Sequence, residues 1–222
     1  MSTEKNYSPG RRTFVKKSAL LGGTLAASPL LSSAGYFTGV DDTIRVALVG
    51  CGGRGTGAAM QALKARTNVK LVAMADAFKD RLEGSYKTLT GEDAEEANVK
   101  DRVTVDEANK FVGFDAYKKA IPLADVVILA TPPGFRPIHF EEAVKQGKHI
   151  FMEKPVATDP AGVKKVLETA ALAKQKKLNV VVGLQRHYQN SYRELYKRVK
   201  DGMIGEITSG RGLYSSLDYF LI

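Results

Sequence analysis

Cysteine occurs once in these 222 residues, at Cys51, and histidine three times, at His139, His149 and His187. A single cysteine excludes an intrachain disulfide, so no part of the fold is stapled by one. No histidine, cysteine or carboxylate spacing matches a metal-ligand pattern, and no metal site is expected. The body of the chain has no apolar run of about 18 residues, the length a membrane-spanning helix needs. What is present describes a soluble globular protein, with 44% hydrophobic and 26% charged residues. The length suits one well-buried domain and part of a second. The net charge of +9 invites a nucleic-acid reading. However, residues 1–40 carry five of the basic residues against Glu4, and the remainder holds 28 basic and 23 acidic residues, a net +5. That excess is scattered as pairs such as Lys118-Lys119, Lys164-Lys165 and Lys176-Lys177, which read as solvated faces, so no nucleic-acid partner is expected.

The first 40 residues read as an address. Arg11-Arg12-Thr13-Phe14-Val15-Lys16 precedes a moderately apolar stretch from Ser18 to Leu31, and Ser32-Ser33-Ala34 offers a small-residue cleavage site. The paired arginines with Phe14 and Lys16 resemble a bacterial twin-arginine signal, whose pathway exports folded proteins. Gly10 departs from the Ser or Thr more usual there, and an ordinary basic N-terminus is the alternative. The expectation is export, to the periplasm, of a domain that begins near Asp41.

From Ile44 the pattern is that of a dinucleotide-binding unit. Ile44-Arg45-Val46-Ala47-Leu48-Val49 reads as a buried parallel strand. Gly50-Cys51-Gly52-Gly53-Arg54-Gly55 follows at once and supplies G-x-G-x-x-G before a helix. In such a turn Gly50 makes the bend, Gly52 admits a pyrophosphate and Gly55 lets helix and strand pack closely. Gly53 and Arg54 complete the loop as candidate cofactor contacts, and the helix N-terminus adds unpaired N–H groups and partial positive charge. Val69 to Ala75 reads as the second strand, with Asp76 at its end, 21 residues after Gly55. A carboxylate there accepts hydrogen bonds from the adenosine ribose and repels a 2′-phosphate, favouring NAD. Asp76 also suits the N-cap of a helix beginning near Ala77, and both roles are compatible. Lys79 and Arg81 lie close enough that NADP is not excluded. Cys51 reads as a small filler in the turn.

Arg81 to Leu89 and Phe114 to Ile121 read as helices, with a polar acidic insertion from Gly91 to Lys100 between them. Ala124 to Ala130 is a nearly all-apolar strand that Thr131-Pro132-Pro133-Gly134 must end, beside a bound cofactor in a doubly wound fold. A helix from Pro137 to Gln146 leads to strand Lys148 to Met152, whose end carries Glu153-Lys154-Pro155. Asp159 to Lys177 is a long amphipathic helix with Asp159 as cap and Pro160 at its first position. Leu178 to Gly183 is a further strand, followed by Gln185-Arg186-His187. Strands alternating with helices predict an α/β fold with a doubly wound parallel sheet. His149 reads as structural, while for His139 packing and a place in the cleft both stay open. On spacing alone, Glu153-Lys154 also fits a surface ion pair.

Together, Gly50, Gly52, Gly55, Asp76, Thr131-Pro132-Pro133, His139, Gly147-Lys148-His149, Glu153-Lys154-Pro155, Gly183, Gln185-Arg186 and Gly202 to Ile207 resemble the glucose–fructose oxidoreductase / inositol dehydrogenase (Gfo/Idh/MocA) family. The resemblance runs from about Thr43 to Ile207. It implies a nicotinamide-binding Rossmann domain followed by an open-faced sheet domain, often the basis of homo-oligomers. It places Lys154 beside the nicotinamide and the reacting hydroxyl of a sugar, cyclitol or polyol, moving the proton that accompanies hydride transfer. Glu153 would orient that lysine or the cofactor, and a cis Lys154–Pro155 peptide would fix the lysine's exit direction. Arg186 and His187 are candidates for substrate contact.

The implied organisation is a leader at 1–40, a Rossmann domain at 41–188, and a linking helix with the start of a sheet domain at 189–222. Ile204 to Ser216 is the expected first strand of that second domain. The family's second catalytic pair, an Asp and a His, lies some 70 residues beyond Glu-Lys-Pro, whereas this chain ends 67 residues after Pro155. The expectation is therefore a C-terminally truncated member. Two other functions stay in view: an NAD-dependent glycosidase working by transient oxidation, and a non-catalytic nucleotide-binding fragment.

Overall fold

The computed structural model describes residues 42–92, 94 and 98–212. The expected leader and export signal fall on residues outside these. Six strands form one sheet in the order β3-β2-β1-β4-β5-β6, and every neighbouring pair is parallel. The strands are β1 (Ile44–Val49), β2 (Val69–Asp76), β3 (Lys110–Val112), β4 (Val126–Leu129), β5 (His149–Met152) and β6 (Val180–Val182). Between them run α1 (Gly53–Ala65), α2 (Lys79–Thr90), α3 (Ala116–Ala120), α4 (Arg136–Lys145) and α5 (Pro160–Gln175); α6 (Gln185–Tyr188) and α7 (Asn190–Lys200) follow β6.

The central strands are largely apolar, β4 at every position and β1 at all but Arg45, because both faces of the sheet are covered. Along β1, Val46 and Leu48 face one core with Leu63 of α1 and Leu82 of α2. Ala47 and Val49 face the other, with Tyr117, Phe140, Val144 and Val166. The strand order reverses between β1 and β4, and the connections leaving their carboxyl ends run to opposite faces of the sheet, which leaves a crevice above those ends.

The sequence reading places most of these elements within two residues. Asp159 caps α5 as expected: its carboxylate accepts from the Gly162 N–H at 2.8 Å, with Pro160 in the first turn. Three differences have physical causes. Asp76 does not cap α2, whose first turn begins two residues further on, after Phe78. The short strand β3 escaped notice because its three residues gain strand geometry only by pairing with Met74 to Asp76 of β2. The strand expected from Ile204 is not formed among the described residues up to 212. Gly202 and Gly205 turn the chain with positive φ, and no described strand lies alongside to pair with the segment. Residues 213–216 of that expected strand lie outside the described residues.

Phe140 is fully buried between the sheet and α5, whereas Asp159 works at an exposed helix end. Phe140→Ala is expected to cost about 3–5 kcal/mol and Asp159→Ala about 1 kcal/mol, both read from urea unfolding midpoints.

Candidate active site

The ends of five strands open on one cleft of about 650 Å³, lined among others by Gly50, Asp76, Thr131, Pro132, Glu153 and Lys154. Its floor is the glycine turn. Gly50 has φ of +98°, and a Cβ on it would stand 2.5 Å from the Thr131 nitrogen. A Cβ on Gly55 would lie 1.9 Å from the Gly50 carbonyl oxygen. The turn is thus wedged against the end of β4, with no room for a methyl group at either position. A Cβ on Gly52, by contrast, would meet nothing within 4 Å. Gly52 is the extended N-cap of α1 and brings no side chain to cap it, so the helix's first N–H groups are available to an anion.

Asp76 is held from two sides. One carboxylate oxygen accepts from the Cys51 N–H at 2.6 Å and the other from the Phe78 N–H at 2.9 Å. Two donors leave each oxygen further acceptor capacity. The Cys51 thiol donates to the Ala75 carbonyl, and burial, reinforced by Asp76, pushes its pKa far above the ordinary range. It stays a thiol, as the reading of a filler implies.

Across the cleft, Glu153 follows β5 and its N–H donates to Leu129 of β4. Its side chain is 7% exposed and meets the Arg54 guanidinium at 2.6 Å. Gly183 makes room for it, since a Cβ there would stand 2.7 Å from the Glu153 carboxylate. Lys154 is exposed on the cleft wall, and the Lys154–Pro155 peptide is cis. Arg54 therefore links the glycine turn to the residue beside Lys154, which its place at an unspecified position of the glycine motif does not announce.

His139 is buried in the same wall. Its Nδ1 is 3.0 Å from the Thr131 hydroxyl, and its ring packs on Tyr117 at a centroid distance of 4.2 Å. Burial, with the positive charge of Arg136 added, lowers its pKa from 6.5 to about 4. The neutral ring serves both packing and the cleft wall, the two readings that sequence left open. His149 is structural: its Nδ1 accepts from the Asn179 N–H at 3.0 Å, tying β5 to the approach to β6.

Arg186 and His187 do not line the cleft. Arg186 lies over the Tyr192 ring at 4.8 Å, both residues are exposed, and the neighbouring Gln185 takes the lining position. Among the described residues, no group of three His, Cys, Asp or Glu side chains is arranged for a metal. Sequence reasoning missed Phe78, Phe114, Phe135 and Arg136, all in the lining. Arg136 stands three residues after Pro133, and that adjacency was the only available signal.

The His139 ring gives the site a pH signature. Between about pH 4 and 6.5 the unfolded chain binds a proton that the folded protein refuses, so stability rises with pH across that window. At about 1.4 kcal/mol per pH unit, acidification from neutral to pH 4 costs on the order of 3 kcal/mol through this residue. His139→Gln is expected to flatten that part of the curve, measured as urea midpoints across the window.

Comparison with known proteins agrees with this geometry. Residues 44–184 match the model of an oxidoreductase family with an NAD-binding Rossmann fold. The chain is 28% identical over 165 residues to inositol 2-dehydrogenase of Rhizobium meliloti, covering 74% of this chain and 43% of that protein. It is 26% identical over 174 residues to a glycosyl hydrolase family 109 protein of Streptomyces coelicolor, covering 78% and 34%. The crystal structure of scyllo-inositol dehydrogenase from Lactobacillus casei, with bound NAD(H) and scyllo-inositol, superposes with a TM-score of 0.59 at 26% identity, over 75% of this chain and 44% of that one. The chain thus spans less than half the length of these relatives. It belongs to the Gfo/Idh/MocA oxidoreductase family, and residues 44–184 are its NAD-binding Rossmann fold.

Proposed function

We propose that this chain carries the cofactor half of an NAD-dependent oxidoreductase acting on a hydroxyl of a sugar, cyclitol or related polyol. One observation carries the reading: an anion-accepting helix terminus, a strand-end carboxylate and an exposed lysine open on a single cleft at the reversal point of a parallel sheet. The residues fit a dinucleotide. Gly52 leaves a surface bare where a diphosphate backbone would approach, and the α1 N-terminus stands beside it. Asp76, oriented by the Cys51 and Phe78 N–H groups, would take the ribose hydroxyls and disfavour a 2′-phosphate.

A bound nicotinamide would supply the hydride donor or acceptor. Lys154 would hydrogen-bond the reacting hydroxyl and relay its proton, while Glu153, held by Arg54 in the space Gly183 leaves, would orient that lysine or the cofactor. Gln185 is better placed than Arg186 or His187 to meet a substrate at that end of the cleft. Inositol dehydrogenases among the relatives support a polyol substrate. The glycosyl hydrolase relative is matched over a smaller share of its length, and no feature of the cleft favours glycoside cleavage. Assembly into a homo-oligomer and export through the twin-arginine route belong to the same proposal.

Calorimetry should detect NADH binding to the chain, and none would refute the reading. Asp76→Ala is expected to weaken NADH and narrow any preference over NADPH. Lys154→Met should bind NADH as the parent does and lose about 10²–10⁴ in hydride transfer. Replacing Arg11 and Arg12 with lysines is expected to retain the protein in the cytoplasm, followed by cell fractionation.

A further inference from the structure

Arg136 is among the most buried side chains in the protein, at 2% exposure, yet it carries a charge. Burial works against that charge, and the field of Glu153 supports it. No carboxylate pairs with Arg136 among the described residues, and Glu153 pairs with Arg54. Its guanidinium instead donates to three backbone carbonyls: Thr131, Glu153 and Pro155. Those carbonyls share a property. Each lies just past the end of a strand, where the sheet's own hydrogen bonding has finished and an unpaired C=O would be costly to bury. Two of the three flank Lys154 in the chain, and the third lies two residues beyond β4, the strand next to β5.

Packing alone does not call for this arrangement. An apolar side chain of similar volume would fill the space without desolvating a cation. A planar fork with several fixed N–H directions suits three acceptors from two separate segments, which an ammonium on a flexible stem meets less well. The fork holds residues 153 and 155 against Thr131 and leaves Lys154 between them as the only member of the triplet whose side chain stands exposed in the cleft. We propose that Arg136 is a positioning residue: it clamps the backbone on both sides of Lys154 and so sets where the lysine amine stands in the cleft. This rests on the assignment of Lys154 given above, and it adds a residue that acts only through that lysine.

The test uses Arg136→Gln and Arg136→Lys in the full chain. Limited acetylation with acetic anhydride, followed by peptide mass spectrometry, gives the rate at which Lys154 reacts without nucleotide, with the other lysines as internal references. In Arg136→Gln the Lys154 rate is expected to move away from its parent value while the references hold. Arg136→Lys should fall between, since it keeps the charge and loses the fork. NADH affinity, set mainly by the glycine turn and Asp76, should change less than the Lys154 rate does in both, although Arg136 borders the cleft. In the hydride-transfer assay the loss should fall on kcat rather than on KM for NADH, by roughly 100-fold for a displacement on the order of 1 Å. If Arg136→Gln does not fold, as judged by thermal melting, Arg136→Lys carries the comparison. A Lys154 rate and kcat unchanged in a folded variant would overturn the proposal. Failure of the parent chain to bind NADH would instead remove the cofactor reading, and the nucleotide-free acetylation would still decide whether Arg136 sets Lys154.

Discussion

The structure depends on a contact with no side chain in it. The turn after β1 lies so close to the end of β4 that a single carbon at Gly50 or Gly55 would collide with backbone. Close packing of this kind is intolerant of even one methylene. Because the turn is fixed against β4, the N-terminus of α1 is fixed too, and so is Asp76, whose carboxylate bonds to the turn through the Cys51 N–H. The cleft is thus a consequence of how two strand ends are pressed together, and its polar groups inherit their positions from that pressure.

The opposite wall is built differently. There, charged side chains do the holding: the exposed Arg54 reaches over to the buried Glu153, and the buried Arg136 gathers carbonyls from beyond the ends of β4 and β5. Both arginines belong to helices that begin at the cleft, so each helix start delivers a cation to the strand end beside it. His139 stays neutral in this wall because burial, and after it the charge of Arg136, disfavours its protonated form.

How much of this the sequence disclosed follows from the range of each interaction. Local constraints were legible: the G-x-G-x-x-G turn, the strand-end Asp76, the Asp159 cap and the Thr-Pro-Pro stop all leave their mark within a few residues. The parallel sheet followed from the alternation of apolar strands and helices. Contacts between distant segments were not legible. Arg136 reads as an ordinary helical arginine until the carbonyls 17 and 19 residues further on are placed beside it. Gly183 reads as a strand terminator until the Glu153 carboxylate occupies the space its missing Cβ leaves. Strand β3 has too few residues to show a period, and Ile204 onward shows a strand-like composition without a described neighbour to make it one.

Cys51 sits inside the glycine turn itself, 3% exposed, with its thiol hydrogen-bonded and strongly disposed to stay protonated. It is also the sole sulfhydryl of the chain. A thiol-specific dye can therefore report on one place only, and it can react there only when the turn comes away from β2 and β4. The kinetics of that reaction measure how often the nucleotide cradle opens, with no probe having to be engineered into it.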